Sequence, residues 1–320
     1  LNRLMPRGEY LYTYAYTEDE KELCGLETRS FFGAGHTGKI IKSKTAVDPD
    51  RSPFMKERID ILFEEEGLEE IVDRASAISM EGQTFKVIFV KINGEPEAEK
   101  TLYDEKRAVE SRIGKVIQGK ADMQKPDIVF GLLPYEGRWY FGRYQLAEPV
   151  WFRHQKKPKQ YSTALSTRVA RVVANIAAPE IEGVRAIDPC CGIGTVLVEG
   201  LSMGIDIVGR DVNPLVVVGS RENIAHFGLS GEVVHGPIAE ATGQFDVAII
   251  DMPYNLYTSA TPADQLSILS HAHRIAEKLI VVTLDNLDSM IAEAGYAITD
   301  RCIAKKAGFS REVVVCHRAQ

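Results

Sequence analysis

The chain is short of the residues that build a disulfide scaffold, a zinc site or a membrane span. Its five cysteines, Cys24, Cys190, Cys191, Cys302 and Cys316, are odd in number, contain no Cys-x-x-Cys pair and do not group with histidines at ligand spacing. His271 and His273, two apart, would point to different faces of a helix, so no metal is expected. No apolar run approaches the roughly 20 residues that a bilayer crossing needs. Residues 1–16 lack a basic-then-apolar leader pattern, and the expectation is a cytoplasmic protein with no membrane association. The full Gly-x-Gly-x-x-Gly run of dinucleotide loops is missing as well. Internal repeats and low-complexity tracts are absent.

What is present is enough chain for two cores, since 320 residues exceed what one hydrophobic core usually organises. The net charge of -7 argues against a polyanionic partner, but its distribution is uneven. Residues 1–99 hold 13 Lys and Arg against 20 Asp and Glu; residues 161–320 hold 12 against 18. Between them, residues 100–160 hold 13 against 7. Such a basic band is either a phosphate-attracting surface or a set of ordinary solvated helix charges.

From residue 161 short apolar runs alternate with helical periodicity, the pattern of an α/β domain with a parallel sheet. Helices are expected at 166–177, 194–203, 213–227, 266–276 and 287–294. Strands are expected at 184–187, 205–209, 232–235, 245–250, 278–283, 297–304 and 312–317, the last two flanking a turn at Ala307-Gly308. The first half is less regular. It offers a strand at 10–16, a helix at 19–32, an acidic helix within 52–75, a strand at 84–92, a helix at 103–119 and strands at 127–133 and 139–144. Residues 153–160, rich in lysine and carrying Pro158, read as a linker.

The strongest local signal is Asp188-Pro189-Cys190-Cys191-Gly192-Ile193-Gly194-Thr195, directly after a buried strand and before a helix. Small residues at 192 and 194 let backbone approach a ligand, and the helix start offers free amides. Asp211 follows at the end of the next strand, 23 residues on, where a carboxylate can accept both hydroxyls of a ribose. Without a ligand the same residues are a tight turn and a helix cap.

This run resembles the first motif of class I methyltransferases. The resemblance implies a Rossmann-like domain with a seven-stranded mixed sheet and S-adenosylmethionine as cofactor. Asp188, Cys190, Gly192, Gly194 and Thr195 would then surround the methionine part, and Asp211 with Val212 the ribose. Family members often carry Gly-Asp after the third strand to meet the adenine amine; Gly236-Pro237 stands here, and backbone near Ile238 is the expected replacement.

Asp251-Met252-Pro253-Tyr254 is similar to the Asp-Pro-Pro-Tyr turn of methyltransferases that modify exocyclic amines. A base's amino nitrogen is a poor nucleophile, because its lone pair is delocalised into the ring. A carboxylate and a turn carbonyl that accept its protons free that pair for attack. Asp251 would orient the amine, a carbonyl at Met252 or Pro253 would share the task, and Tyr254 would stack on an extruded base. Met252 replaces the usual first proline. Otherwise the run is a strand end with a buried cap.

Residues 157–175, from Lys157-Pro158-Lys159-Gln160-Tyr161 onward, resemble the helix before the catalytic domain in THUMP-domain tRNA guanine-N2 methyltransferases, which adds Ser162 and Thr163 as cofactor candidates. Arg112-Ile113-Gly114-Lys115, Lys125-Pro126-Asp127 and Trp139-Tyr140-Phe141-Gly142 are similar to the later part of a THUMP domain. The resulting expectation is a ferredoxin-like α+β region over 1–80, a THUMP-like RNA-binding domain over 81–152, the linker, and a methyltransferase domain over 161–320. It implies N2-methylation of a guanosine in tRNA. Ribosomal RNA guanine-N2 methylation, DNA amino-methylation and a non-catalytic RNA-binding role on an eroded fold remain open alternatives.

Overall fold

A computed structural model describes residues 7–34, 38–91, 99–161, 164–253, 260–306 and 309–319. In chain order the elements are β1 (Tyr10–Tyr14), α1 (Lys21–Phe32), β2 (Ile40–Ser43), β3 (Met55–Glu65), α2 (Leu68–Ala75), β4 (Ser79–Phe89), α3 (Glu99–Val116), β5 (Gln118–Ala121), β6 (Ile128–Tyr135), β7 (Arg138–Leu146) and α4 (Val150–Arg153). They continue as α5 (Thr167–Ala177), β8 (Arg185–Asp188), α6 (Thr195–Ser202), β9 (Asp206–Asp211), α7 (Pro214–His226), β10 (Val233–His235), β11 (Phe245–Asp251), α8 (Pro262–Ile275), β12 (Ala276–Thr283), α9 (Asp288–Glu293), β13 (Tyr296–Lys306) and β14 (Phe309–Arg318). Among the described residues no helix is long and apolar enough to cross a membrane.

The chain packs as two units. The first gathers the described parts of 1–15, 36–50 and 54–148, and the second those of 16–35, 51–53 and 149–320. The first unit holds one seven-stranded sheet in the order β2-β1-β3-β7-β6-β4-β5. Pairing is antiparallel except where β4 meets β5 and β6. Phe63, Phe130 and Phe141 stack in its core, with ring centroids 5.3 and 6.0 Å apart. Strands from both sides of residue 80 share this sheet, so the division expected there does not coincide with a break in the fold.

The acidic helix expected within 52–75 is α2, and the strand β3 that precedes it was not expected. Buried Ile59, Ile61, Leu62 and Phe63 break strict alternation because the register shifts between Ile61 and Phe63. The charges of β3 are paired along and between strands. Arg58 meets Asp60 at 2.7 Å and Glu64 meets Lys42 at 2.7 Å. β2 and β5 were not expected either; each is only four residues long.

The second unit holds the other seven-stranded sheet, in the order β10-β9-β8-β11-β12-β14-β13. The first five strands are parallel, and β14 and β13 add an antiparallel hairpin edge. All seven expected strands and all five expected helices of this region occur, with ends shifted by a few residues. The Ala307-Gly308 turn lies outside the described residues. Ile187, Ala248, Ile250, Leu269, Leu279, Val281, Ile291 and Val314 fill a core between the sheet and its helices. Each such large side chain contributes about 1.5–3 kcal/mol of burial.

Helix α1, far upstream in sequence, belongs to this second unit. Its Glu27 is fully buried and accepts hydrogen bonds from Ser52 Oγ (2.5 Å) and Asn175 Nδ2 (2.7 Å). Arg171 on α5 donates to the Arg51 carbonyl (2.9 Å) and to Glu199 on α6 (3.0 Å), and His154 Nδ1 lies 2.7 Å from the other Glu199 oxygen. Burial, opposed by these hydrogen bonds and nearby arginines, pushes the Glu27 carboxyl up to about 7.

The expected linker is docked as well. Lys157 turns its ammonium inward to the His154 carbonyl (3.0 Å) and Thr167 Oγ1 (3.1 Å), and Lys159 exchanges backbone hydrogen bonds with the Asn223 side chain. Lysines and a proline had suggested a solvated tether, but long aliphatic stems can lie on a surface while their heads find carbonyls.

Candidate active site

In a parallel sheet every strand delivers its C-terminal end to the same edge, so loops distant in sequence share one rim. Here that rim encloses a cavity of about 610 Å³. The loop after β8 supplies Asp188, Cys190 and Gly192, the start of α6 supplies Thr195, and β9 ends in Asp211 and Val212. The turn after β10 supplies Pro237 and Ile238, and the end of β11 supplies Asp251, Met252 and Pro253. The two corners singled out in the sequence, Asp188–Thr195 and Asp251–Pro253, therefore open into one space. Tyr254, Ser162 and Thr163 lie outside the described residues, although their neighbours Pro253, Tyr161 and Ala164 line the cavity.

Local chemistry explains the loop. Gly192 and Gly194 have φ of 51° and 76°, the left-handed region that favours glycine. A Cβ on Gly194 would collide with the Ser220 hydroxyl of α7, whereas a Cβ on Gly192 would meet no protein atom within 4 Å. Gly194 thus serves close packing against α7 and is not part of the cavity wall. Gly192 leaves space on the ligand side. The Asp211 carboxylate ties two loops together by accepting the Gly192 N–H and the Asn213 N–H, each at 2.9 Å.

Asp188 is buried at the end of β8 and accepts the Cys190 N–H at 3.2 Å. Burial raises its carboxyl well above the usual range, with the nearby Asp251 and Asp211 adding to the effect. Burial likewise pushes the Cys190 thiol up, which leaves it a poor nucleophile. Asp251 is pushed up to about 6 by burial, opposed by Arg311, whose Nη1 lies 3.5 Å from Asp251 Oδ2. Among the described residues Asp251 Oδ1 and Thr195 Oγ1 are buried without a hydrogen-bond partner.

Met252 departs from the proline of the motif for a reason visible in the ladder. Its N–H donates to the Val282 carbonyl at 2.8 Å, adding a rung between β11 and β12 that proline cannot make. Its side chain is 1% exposed and joins the core beneath the sheet. Pro253 follows, its carbonyl accepting Gln265 Nε2 at 3.1 Å from α8.

Several contributors have no strong local signature in the sequence. Asp264, Ser267, Ile268 and His271 of α8 line the cavity. They are spaced i, i+3, i+4 and i+7, so one helical face carries them. The Thr261/Asp264 capping box at the start of α8 was a readable clue to where that face begins. Arg311 reaches Asp251 across 60 positions of sequence, and no local pattern points to it.

The residues fit a nucleoside carrying positive charge. Asp188, Asp211 and Asp251 on one rim favour a cation, two buried oxygens lack protein partners, and Asp211 stands where ribose hydroxyls are received. Pro237 and buried Ile238 form an apolar wall suited to a flat ring, and Pro237 stands where the motif often carries Asp.

A family model described as UPF0020, RMKL-like, methyltransferase domain matches residues 154–295. The second unit has the class I methyltransferase fold. The chain is 27% identical over 305 residues to a tRNA (guanine(10)-N2)-dimethyltransferase of Methanothermobacter thermautotrophicus, covering 87% of this chain and 85% of that one. A protein of the same name from Pyrococcus abyssi is 26% identical over 182 residues, 52% of this chain and 54% of its own. Among solved structures, TrmN from Thermus thermophilus superposes with a TM-score of 0.48 at 16% identity, covering 97% of this chain and all of that one.

Proposed function

We propose that this protein is an S-adenosylmethionine-dependent methyltransferase acting on the exocyclic N2 amine of a guanosine in tRNA. The observation that carries the reading is the meeting of two corners in one cavity: the glycine loop tied to Asp211, and a strand end that sets the Asp251 carboxylate on the cavity wall. The names of the relatives aligned over most of the chain support tRNA and guanine N2 as acceptor. The first unit, with its exposed Lys120 and Lys125, supplies the RNA-holding surface as a THUMP-like module.

Bound S-adenosylmethionine supplies an electrophilic methyl carbon on a positively charged sulfur. Asp211 holds the ribose hydroxyls, and the Gly192 backbone leaves room for the methionine part with Cys190 and Thr195 beside it. Val212 and Ile238 enclose the adenosine. The Asp251 carboxylate accepts an N–H of the guanine amine while the Met252 carbonyl receives the other, so the nitrogen lone pair is drawn out of the ring. As the N–C bond forms, the sulfur–methyl bond would break with its electron pair left on sulfur as a neutral thioether, and the proton lost from the amine goes to Asp251 or to water. Tyr254, by its place in the motif, stacks on the extruded base. Because the sulfonium needs no further activation, alignment contributes more than proton transfer.

The test is mass spectrometry of nucleosides from tRNA and ribosomal RNA after incubation with the protein and deuteromethyl-labelled cofactor. Label in N2-methylguanosine of tRNA is expected. Label confined to ribosomal RNA, or to another nucleoside, would overturn the assignment.

A further inference from the structure

Asp251 sits at the end of β11, and the nearest opposite charge comes from two strands away. β11 pairs with β12, β12 pairs with β14, and β14 carries Arg311 one residue before Glu312, the partner of Thr283 at the end of β12. Arg311 thus reaches over the C-terminal end of β12. Its side chain is 11% exposed, and Nη1 lies 3.5 Å from Asp251 Oδ2. The other carboxylate oxygen, Oδ1, is buried with no partner among the described residues, in a side chain that lines the cavity. One oxygen is held by Arg311, the other is shut away from solvent, and the carboxylate as a whole lines the space where an acceptor amine must arrive.

We propose that Arg311 is a positioning residue for methyl transfer: its guanidinium holds Oδ2 of Asp251 and thereby fixes an ionised carboxylate on the cavity wall for the acceptor amine. The proposal rests on the reading of the cavity as a methyltransferase site. Among the described residues the other ionisable groups around Asp251 are Asp188 at the end of β8 and Cys190 in the following loop, with Asp211 of β9, Tyr161, and Asp264 and His271 of α8 lining the same cavity. None of the acids can stabilise a second negative charge beside them. Arg311 is the cation that opposes burial at Asp251, and without it the carboxyl stays protonated to higher pH. A protonated Asp251 has lost its charge, is a weaker hydrogen-bond acceptor and cannot take up the proton that the amine releases.

The consequence is testable without cofactor or RNA. In the full chain, a 13C-carboxyl NMR titration of Asp251, its signal assigned with Asp251→Asn, is expected to show a midpoint near 6. Arg311→Met should move it to about 7 or higher, and Arg311→Lys, which keeps a cation and guards against a variant that fails to fold, should fall between. In turnover, Arg311→Met should lower kcat about 10- to 100-fold at pH 7 with KM for S-adenosylmethionine changed less than about twofold, and part of the loss should return at high pH. An unmoved Asp251 midpoint in both variants overturns the role of Arg311 whatever the activity. Absence of transfer by the unmodified chain to any RNA overturns the methyltransferase reading instead.

Discussion

The two units each contain a sheet of seven strands, and they differ in how the strands run. In the second unit five neighbouring strands are parallel, so β8, β9, β10 and β11 all end at one edge and Asp188, Asp211, Ile238 and Asp251 meet there. In the first, mostly antiparallel pairing sends successive strand ends to opposite edges, and its charged side chains pair along the sheet, as Arg58 does with Asp60 and Glu64 with Lys42. A parallel sheet concentrates chemistry; an antiparallel one distributes it. The chemistry is accordingly assigned to the second unit, and the proposed affinity for a large polyanion is sought on the surface of the first.

The contrast breaks most sharply at Asp251. Asp251→Asn should lower methyl transfer by about a thousandfold or more while S-adenosylhomocysteine affinity, measured by calorimetry, changes little. The unmodified enzyme should gain activity as pH rises through about 6, since the ionised form of a carboxyl raised by burial is the one that accepts a proton. Equal loss of binding and transfer in the variant would remove Asp251 from the chemistry.

Whether α1 truly belongs with the catalytic sheet is tested by Glu27. Its folded-state carboxyl is raised to about 7 from 4.5, so the folded state binds the extra proton. That contribution is complete below about 4.5 and is lost as pH rises through about 7, a difference of about 3 kcal/mol. Glu27→Gln should flatten this part of the stability–pH curve in urea melts and be the more stable protein at pH 8. A slope unchanged by the substitution would detach α1 from the catalytic unit.

Smaller effects sharpen the picture. Asp211→Ala removes the acceptor of the Gly192 and Asn213 amides as well as the proposed ribose partner, and should weaken S-adenosylhomocysteine binding about 10- to 100-fold. Met252→Pro deletes the rung to Val282 and should cost about 1–3 kcal/mol in a thermal or urea melt, although it restores the motif's usual residue. In the first unit, Lys120→Ala with Lys125→Ala should leave cofactor binding untouched, weaken tRNA binding severalfold and lower the salt slope by about one for each phosphate no longer neutralised. A salt slope that stays put would take these lysines out of the RNA surface.

Much of the second unit was legible in the sequence for a physical reason. A buried parallel strand must be a short apolar run, and the helix that follows must begin after a small-residue turn, so 184–283 could be parsed almost element by element. The Asp188–Thr195 loop and the Asp251–Pro253 turn were readable because ligand approach restricts residue types locally. The first unit was harder. β3 carries charges on a central strand and a register shift between Ile61 and Phe63, which erased the alternation that marks a half-buried strand. Contributions that depend on tertiary proximity left no trace at all. The pairing of Arg311 with Asp251, the docking of Glu27 beneath Asn175 and the inward turn of Lys157 each join residues whose neighbours in sequence say nothing about their neighbours in space.

The central claim is that the glycine loop and the Asp251 turn face one bound nucleoside. A crystal structure of the full chain with S-adenosylhomocysteine tests it most directly. Both ribose hydroxyls are expected on Asp211, with the adenine against Ile238 and the sulfur pointing toward the Asp251 carboxylate. A ligand seated elsewhere, or in this cavity with its sulfur turned away from Asp251, would contradict it.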